Sequence, residues 1–225
     1  SPEKKNDEDP IKAYTEEMHL GMWLTGKRVE GSWAHADEQS SFYELKAYVM
    51  NIFTRLGVNP GIVVTESSDN NVFGKALALK ARSGKVLCEM GIVSHKLLKK
   101  MDIEQEVFYA DINWDNMMRA IKKNEVLYHD ICKFPSVSRD LALLLDKNVQ
   151  FEQIEQIARQ TEKKLLKSVE LFDVYEGKNL PEGKKSYAVN FILQDETKTL
   201  NDKQIEAIMS KLINNLKTKL GAELR

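Results

Sequence analysis

Residues 138–146 (SRDLALLLD), 169–176 (VELFDVYE) and 185–194 (KSYAVNFILQ) decide the fold of this chain. Each run carries the period of two expected of a strand whose two faces meet different surroundings. Between the first two, residues 150–166 place Ile154, Ile157, Ala158, Thr161 and Leu165 on one side of a helix. After the third, a helix over 201–220 aligns Ile205, Ile208, Met209, Leu212 and Leu216. Asn201 with Gln204 three residues on matches a capping box, and Gly221 closes the helix. Gly177 to Gly183, with Pro181, read as a loop, and AELR at 222–225 supplies a short last strand. The order is β-α-β-β-α-β, a ferredoxin-like split βαβ arrangement.

Two helices on one side of such a sheet leave its other face free, and alternation assigns the residues. Leu141, Leu143 and Leu145 oppose Asp140, Ala142 and Leu144. Phe172 and Val174 oppose Leu171, Asp173 and Tyr175, and Tyr187, Val189, Phe191 and Leu193 oppose Ser186, Ala188 and Asn190. The bulkier sets are expected under the helices, because each buried large side chain contributes roughly 1.5–3 kcal/mol. The residual face then presents Ala142, Asp173, Tyr175, Ser186 and Asn190. An aromatic ring with carboxylate, hydroxyl and amide groups suits unpaired bases, which stack on such rings for about 1–3 kcal/mol each. The same face equally suits dimerisation or a small ligand.

Upstream, Met18, Leu20, Met22 and Leu24 alternate as a strand, and Phe42, Leu45, Val49, Ile52, Phe53 and Leu56 recur at helical spacing before Gly57. Strands are expected near 61–65, 74–82, 85–93 and 107–112, with Ser83-Gly84 as a hairpin turn and helices near 94–100 and 114–121. Hairpin-linked strands with few helices imply an antiparallel α+β domain. The expected organisation is a charged tail over 1–12, a first domain over 13–131 and a second over 132–225.

Composition bounds the function. The chain has 225 residues, 42% hydrophobic and 30% charged, with a formal charge of −1. That charge gives no whole-protein footprint for nucleic acid. It divides unevenly, −3 over 1–131 and +2 over 132–225. No apolar run reaches the roughly 18 residues of a membrane helix. Cys88 and Cys132 have no partners at metal spacing, which suits a reducing cytosol. The start at Ser1-Pro2 instead of Met suggests a piece of a longer chain.

Four ordered motifs, FPSVSRDLALLLD (134–146), LFDVYEG (171–177), LPEGKKSYAVNF (180–191) and TKTLNDKQIEA (197–207), resemble the ferredoxin-fold anticodon-binding domain of bacterial phenylalanyl-tRNA synthetase β subunits. The resemblance covers 133–225. It implies that the first anticodon base of tRNA(Phe) stacks on Tyr175, with neighbouring contacts at Ala142, Asp173 and Ser186. Lys184 and Lys185 border that face and are candidate contacts to the tRNA backbone.

Residues 13–131 are similar to the catalytic-like domain of the same subunit through WAHADEQSSFYELKAYVMNIFTRLG (33–57) and GIVSHKLLKKMDIEQEVFYADIN (91–113). The chain departs from the family where NNVFGKA (70–76) replaces an HPGRSA stretch. Class II adenylation uses arginines in F-R-x-E and G-x-G-x-x-R contexts to hold ATP and stabilise developing charge. Arg28, Arg55, Arg82 and Arg119 lie in neither, so no catalytic, metal or cofactor residue is assigned in this chain. His19, His35, His95 and His129 are scattered, Cys88 reads as core, and Trp23 and Trp33 read as core or subunit interface. The resemblance implies an α2β2 enzyme whose α subunit is catalytic and whose ATP and Mg²⁺ serve the holoenzyme. It also implies a cytoplasmic location and neither a membrane nor a DNA partner. Two rival readings are a ferredoxin-like module that binds a regulatory ligand and an autonomous adenylating enzyme.

Overall fold

A computed structural model describes residues 14–58, 63–68, 70–122, 124, 128 and 130–225. The expected tail over 1–12, the start of the strand expected near 61–65, and His129 lie outside the described residues. The chain divides into two compact units, residues 1–127 and 128–225.

Unit 1 runs β1 (His19–Thr25), β2 (Lys27–Val29), β3 (Glu38–Gln39), α1 (Phe42–Arg55), β4 (Val63–Ser68), β5 (Phe73–Ala81), β6 (Val86–Val93), α2 (His95–Lys100), β7 (Val107–Asn113) and α3 (Trp114–Ile121). Five strands pair antiparallel in the order β1-β7-β6-β5-β4, and β2 pairs with β3 apart from them. The apolar spacing of α1 places Leu45, Val49 and Phe53 against Leu79, Leu87, Met90, Phe108, Ala110 and Ile112. Ser41 begins the helix by accepting the Glu44 N–H. At Gly91 two strands approach so closely that a Cβ would stand 2.3 Å from the Lys75 carbonyl oxygen. Only glycine fits there without moving backbone.

The sheet's other face carries α2 over Val93, Val107 and Tyr109. Beside it the Trp23 ring stacks on Tyr109 at 3.9 Å between centroids, and Tyr109 lies 5.9 Å from Phe73. Trp23 is 64% exposed and Trp33 fully exposed, so neither is a core residue. Cys88 is fully buried, as expected, and burial pushes its thiol up to about 12.

Unit 2 runs β8 (Val137–Asp146), α4 (Phe151–Thr161), β9 (Leu166–Tyr175), β10 (Lys184–Leu193), α5 (Asp202–Leu220) and β11 (Glu223–Leu224). The antiparallel sheet has the order β11-β8-β10-β9, as the β-α-β-β-α-β reading requires. Both helices lie on one face: Ile154, Ile157 and Ala158 of α4, with Ile205, Ile208, Met209, Leu212 and Leu216 of α5, bury Leu143, Leu145, Tyr187, Val189, Phe191 and Leu193. Asn201 and Gln204 form the reciprocal cap, and Gly221 ends α5 at φ +63.

Two sequence readings need correction. The helix expected to reach 166 ends at Thr161, because the Glu162 carboxylate accepts the N–H groups of Lys164 and Leu165 and turns the chain. Leu165 packs on the core from beyond the helix. Phe172 and Val174, expected under the helices, are exposed. The β9–β10 register shifts between Ala188 and Val189, where Leu171 and Asp173 pair successively and Phe172 is the extra residue. This bulge bends the strand and releases Phe172 to solvent at 60% exposure, while Leu171 packs on the core.

Candidate nucleic-acid interface

Three adjacent strands build a shallow basin on the face of unit 2 opposite its helices. Ala142 of β8 pairs directly with Ala188 of β10, and Ala188 pairs with Asp173 of β9. Ser186 pairs with Tyr175 two residues along. Two small alanines therefore form a floor, and the longer side chains of β9 rise beside it. The basin measures about 560 Å³ and is lined by Ala142, Asp173, Tyr175, Asn179, Ser186, Ala188 and Arg225. That volume lies within the roughly 300–1,000 Å³ range of small-ligand sites.

Four residues assigned from the sequence thus meet in one place, Tyr175, Asp173, Ala142 and Ser186. Tyr175 is 37% exposed, so its ring is available beside the alanine floor. Gly177 follows the strand, and a Cβ there would stand 2.4 Å from the Tyr175 hydroxyl. A larger residue at 177 would therefore push the ring away. Asp173 is exposed and offers acceptors only, whereas the Asn179 amide can both donate and accept. Such a set can stack one flat ring and hydrogen-bond its polar edge.

Asn190 shares the face but lies outside the basin lining. Its amide donates to the Ser138 hydroxyl and, at 2.5 Å, to Asp140 Oδ1, so neighbouring β8 groups engage it. The two lysines also separate. Lys184 stands on the side of Ser186, and its Nζ pairs with Asp146 at 2.9 Å. Lys185 is corrected: it points to the helix-covered face and is only 7% exposed. There its Nζ donates to the Tyr187 hydroxyl at 2.6 Å and lies 4.4 Å from that ring's centroid. A backbone phosphate on the open face is out of its reach. The signal was present, since 185 shares its parity with buried Tyr187 and Val189.

Sequence reasoning put Ala188 on this side of its strand without assigning it to the site, and missed Asn179 and Arg225. Asn179 comes from the loop after β9, and Arg225 follows β11. The Arg225 N–H donates to the Ala142 carbonyl at 3.0 Å, and its guanidinium carbon lies 5.4 Å from the Tyr175 ring centroid.

Among the described residues of unit 1 the candidate side chains stay apart. Arg28 pairs with Glu38 at 3.0 Å and approaches Glu44 at 3.6 Å. Arg55 ends α1, Arg82 lies in the β5–β6 turn, and Arg119 donates to Asn116 on α3. Among the described residues these four guanidiniums stand on separate elements. His19 meets Asp111 at 2.7 Å and Glu17 at 3.4 Å across a separation invisible in the sequence. The Asp111 hydrogen bond holds the imidazole pKa above its ordinary value. Among the described residues no group of His, Cys, Asp and Glu is placed to hold a metal, and no helix is long and apolar enough to cross a membrane.

Comparison with known proteins divides the chain similarly. Residues 132–225 match the ferredoxin-fold anticodon binding domain, and residues 3–114 match the phenylalanyl tRNA synthetase beta chain CLM domain. The chain is 59% identical over 223 residues to the phenylalanine--tRNA ligase beta subunit of Bacteroides thetaiotaomicron. It is 58% identical over 223 residues to that of Bacteroides fragilis, and 52% identical over 222 residues to that of Porphyromonas gingivalis. Each alignment covers 99% of this chain and 27% of the relative. The chain thus spans about a quarter of the length of the curated relatives it matches.

Proposed function

Because the chain belongs to the phenylalanyl-tRNA synthetase β-subunit family, as its C-terminal region, we propose that unit 2 holds the anticodon of tRNA(Phe) on its open sheet face. The observation that carries this reading is the convergence of Tyr175, Asp173 and Ser186 over the Ala142–Ala188 floor. In it, the first anticodon base stacks on the Tyr175 ring. Asp173 accepts hydrogen bonds from that base's Watson–Crick edge, Ala142 keeps the floor low, and Ser186 lies at its margin. Lys184 contributes at most a screened charge, because Asp146 already pairs with it.

Unit 1 is a synthetase-like domain that performs no chemistry itself and packs against a catalytic α subunit in an α2β2 enzyme. ATP and Mg²⁺ belong to that holoenzyme, where they supply the activation of phenylalanine. The dispersed arginines of unit 1 support keeping that step off this chain. The assembly is cytoplasmic and has neither a membrane nor a DNA partner. The synthetase-like domain gives way to the anticodon-binding domain near 131–132, close to the division between the two compact units at 127 and 128.

The test is binding of tRNA(Phe), against a tRNA of different anticodon, to the parent chain and to Tyr175→Ala. The expected loss is about 1–3 kcal/mol for the variant, with folding retained because the ring lies off the core face. Unchanged affinity would remove Tyr175 from the interface.

A further inference from the structure

The proposed anticodon site contains a cation that no motif reading assigned. β11 pairs with β8 through Glu223 with Leu144 and Leu224 with Leu143, and the next N–H, of Arg225, continues to the Ala142 carbonyl at 3.0 Å. The position of Arg225 is therefore set by the sheet. From there its guanidinium lines the basin and leans over the alanine floor toward Tyr175, with 5.4 Å between its carbon and the ring centroid. That is within the roughly 6 Å range of a cation–π contact.

Charge makes the placement informative. Asp173 lines the same basin, yet Arg225 forms no ion pair among the described residues. Of the two lysines assigned from the sequence, Lys184 pairs with Asp146 and Lys185 lies beneath the sheet with Tyr187. Among the described residues Arg225 is the one cation in the basin lining, and its planar fork of donors matches phosphate geometry. A base stacked on Tyr175 brings its own sugar-phosphate to the rim of the same basin.

We propose that Arg225 is a tRNA-contact residue whose guanidinium grips a backbone phosphate of the nucleotide stacked on Tyr175. The cation–π contact keeps both side chains over the floor, and on binding the guanidinium turns to the phosphate while the ring receives the base. The proposal rests on the anticodon reading of this face. Tyr175 then supplies stacking, Asp173 reads the base edge, and Arg225 supplies the salt-dependent part of the affinity.

The test titrates the 225-residue chain and its variants with a hairpin RNA carrying the anticodon loop of tRNA(Phe), between about 50 and 200 mM salt. Arg225→Gln should weaken binding about tenfold at the low end and reduce the slope of log affinity against log salt by about 0.7, the value for one single-strand phosphate contact. Its preference for the correct first anticodon base should persist. Arg225→Lys should retain most of the slope, which separates loss of charge from any disturbance of β11. Tyr175→Ala should weaken binding with the slope unchanged. If Arg225→Gln matches the parent while Tyr175→Ala weakens binding, the phosphate assignment fails and the anticodon reading stands. If Arg225→Gln loses base preference at unchanged slope, the guanidinium reads a base, and the phosphate assignment again fails. If the parent does not bind the hairpin, or Tyr175→Ala binds like the parent, both readings fail together.

Discussion

Each unit folds an antiparallel sheet with helices over one apolar face, and the two differ in what they do with the other. In unit 1 that face sets ring against ring, Trp23 on Tyr109 at 3.9 Å and Tyr109 near Phe73 at 5.9 Å. In unit 2 Tyr175 has no aromatic partner among the described residues; it stands beside two alanines, a carboxylate and a guanidinium. An aromatic ring stacked on its neighbours contributes to stability, whereas a ring above small side chains keeps a face for a ligand. On the proposed reading, small residues opposite the ring, and not aromatic content alone, distinguish a base-binding surface.

The largest effect that could break this separation concerns the cores, which share no residue. Phe191 is fully buried in unit 2, and Phe191→Ala should cost about 3–5 kcal/mol. Hydrogen exchange should show protection lost across β8, β9 and β10 while β5, β6 and β7 keep theirs. Equal loss in both sheets would mean that the units unfold as one.

A smaller effect separates the two aromatic faces. Trp23→Ala should lower the stability of unit 1 by about 0.5–1.5 kcal/mol beyond lost area, because a stacked pair is broken. It should leave affinity for the anticodon hairpin untouched, the reverse of Tyr175→Ala. Urea melts paired with anisotropy titrations would test the contrast. RNA affinity lost with Trp23→Ala would extend the interface to unit 1.

The smallest expected effect is a pH dependence. The hydrogen bond that Asp111 accepts from the His19 ring raises the folded pKa of His19 above its unfolded value. The stabilisation is fully present below about pH 6.5 and is lost as pH rises through the raised folded value. Both side chains are partly exposed, so screening keeps the contribution small. Urea midpoints of unit 1 should fall slightly from about pH 5.5 to about pH 8. Asp111→Asn should abolish that component, and an identical profile in the variant would assign the dependence elsewhere.

Much of unit 2 was legible because its code is local. Alternation in β8 and β10, the Asn201–Gln204 cap and the apolar stripe of α5 each follow from residues a few positions apart. The four assigned basin residues converge because alternation keeps them on one face of three adjacent strands. The Phe172 bulge was not legible, since it depends on two residues of β9 facing one of β10. Arg225 was hidden for a related reason: its place requires β11 to pair with β8, which sequence periodicity over two residues cannot specify. The His19–Asp111 contact joins strands through tertiary pairing alone.

Reception of unpaired RNA bases at Tyr175 on the open face of unit 2 can be followed by amide chemical-shift mapping during titration with the tRNA(Phe) anticodon hairpin. Saturable shifts are expected at Ala142, Asp173, Tyr175, Asn179, Ser186 and Arg225, with α4 and α5 unaffected. Shifts confined to the helix-covered side or to unit 1, with the basin residues unmoved, would contradict it.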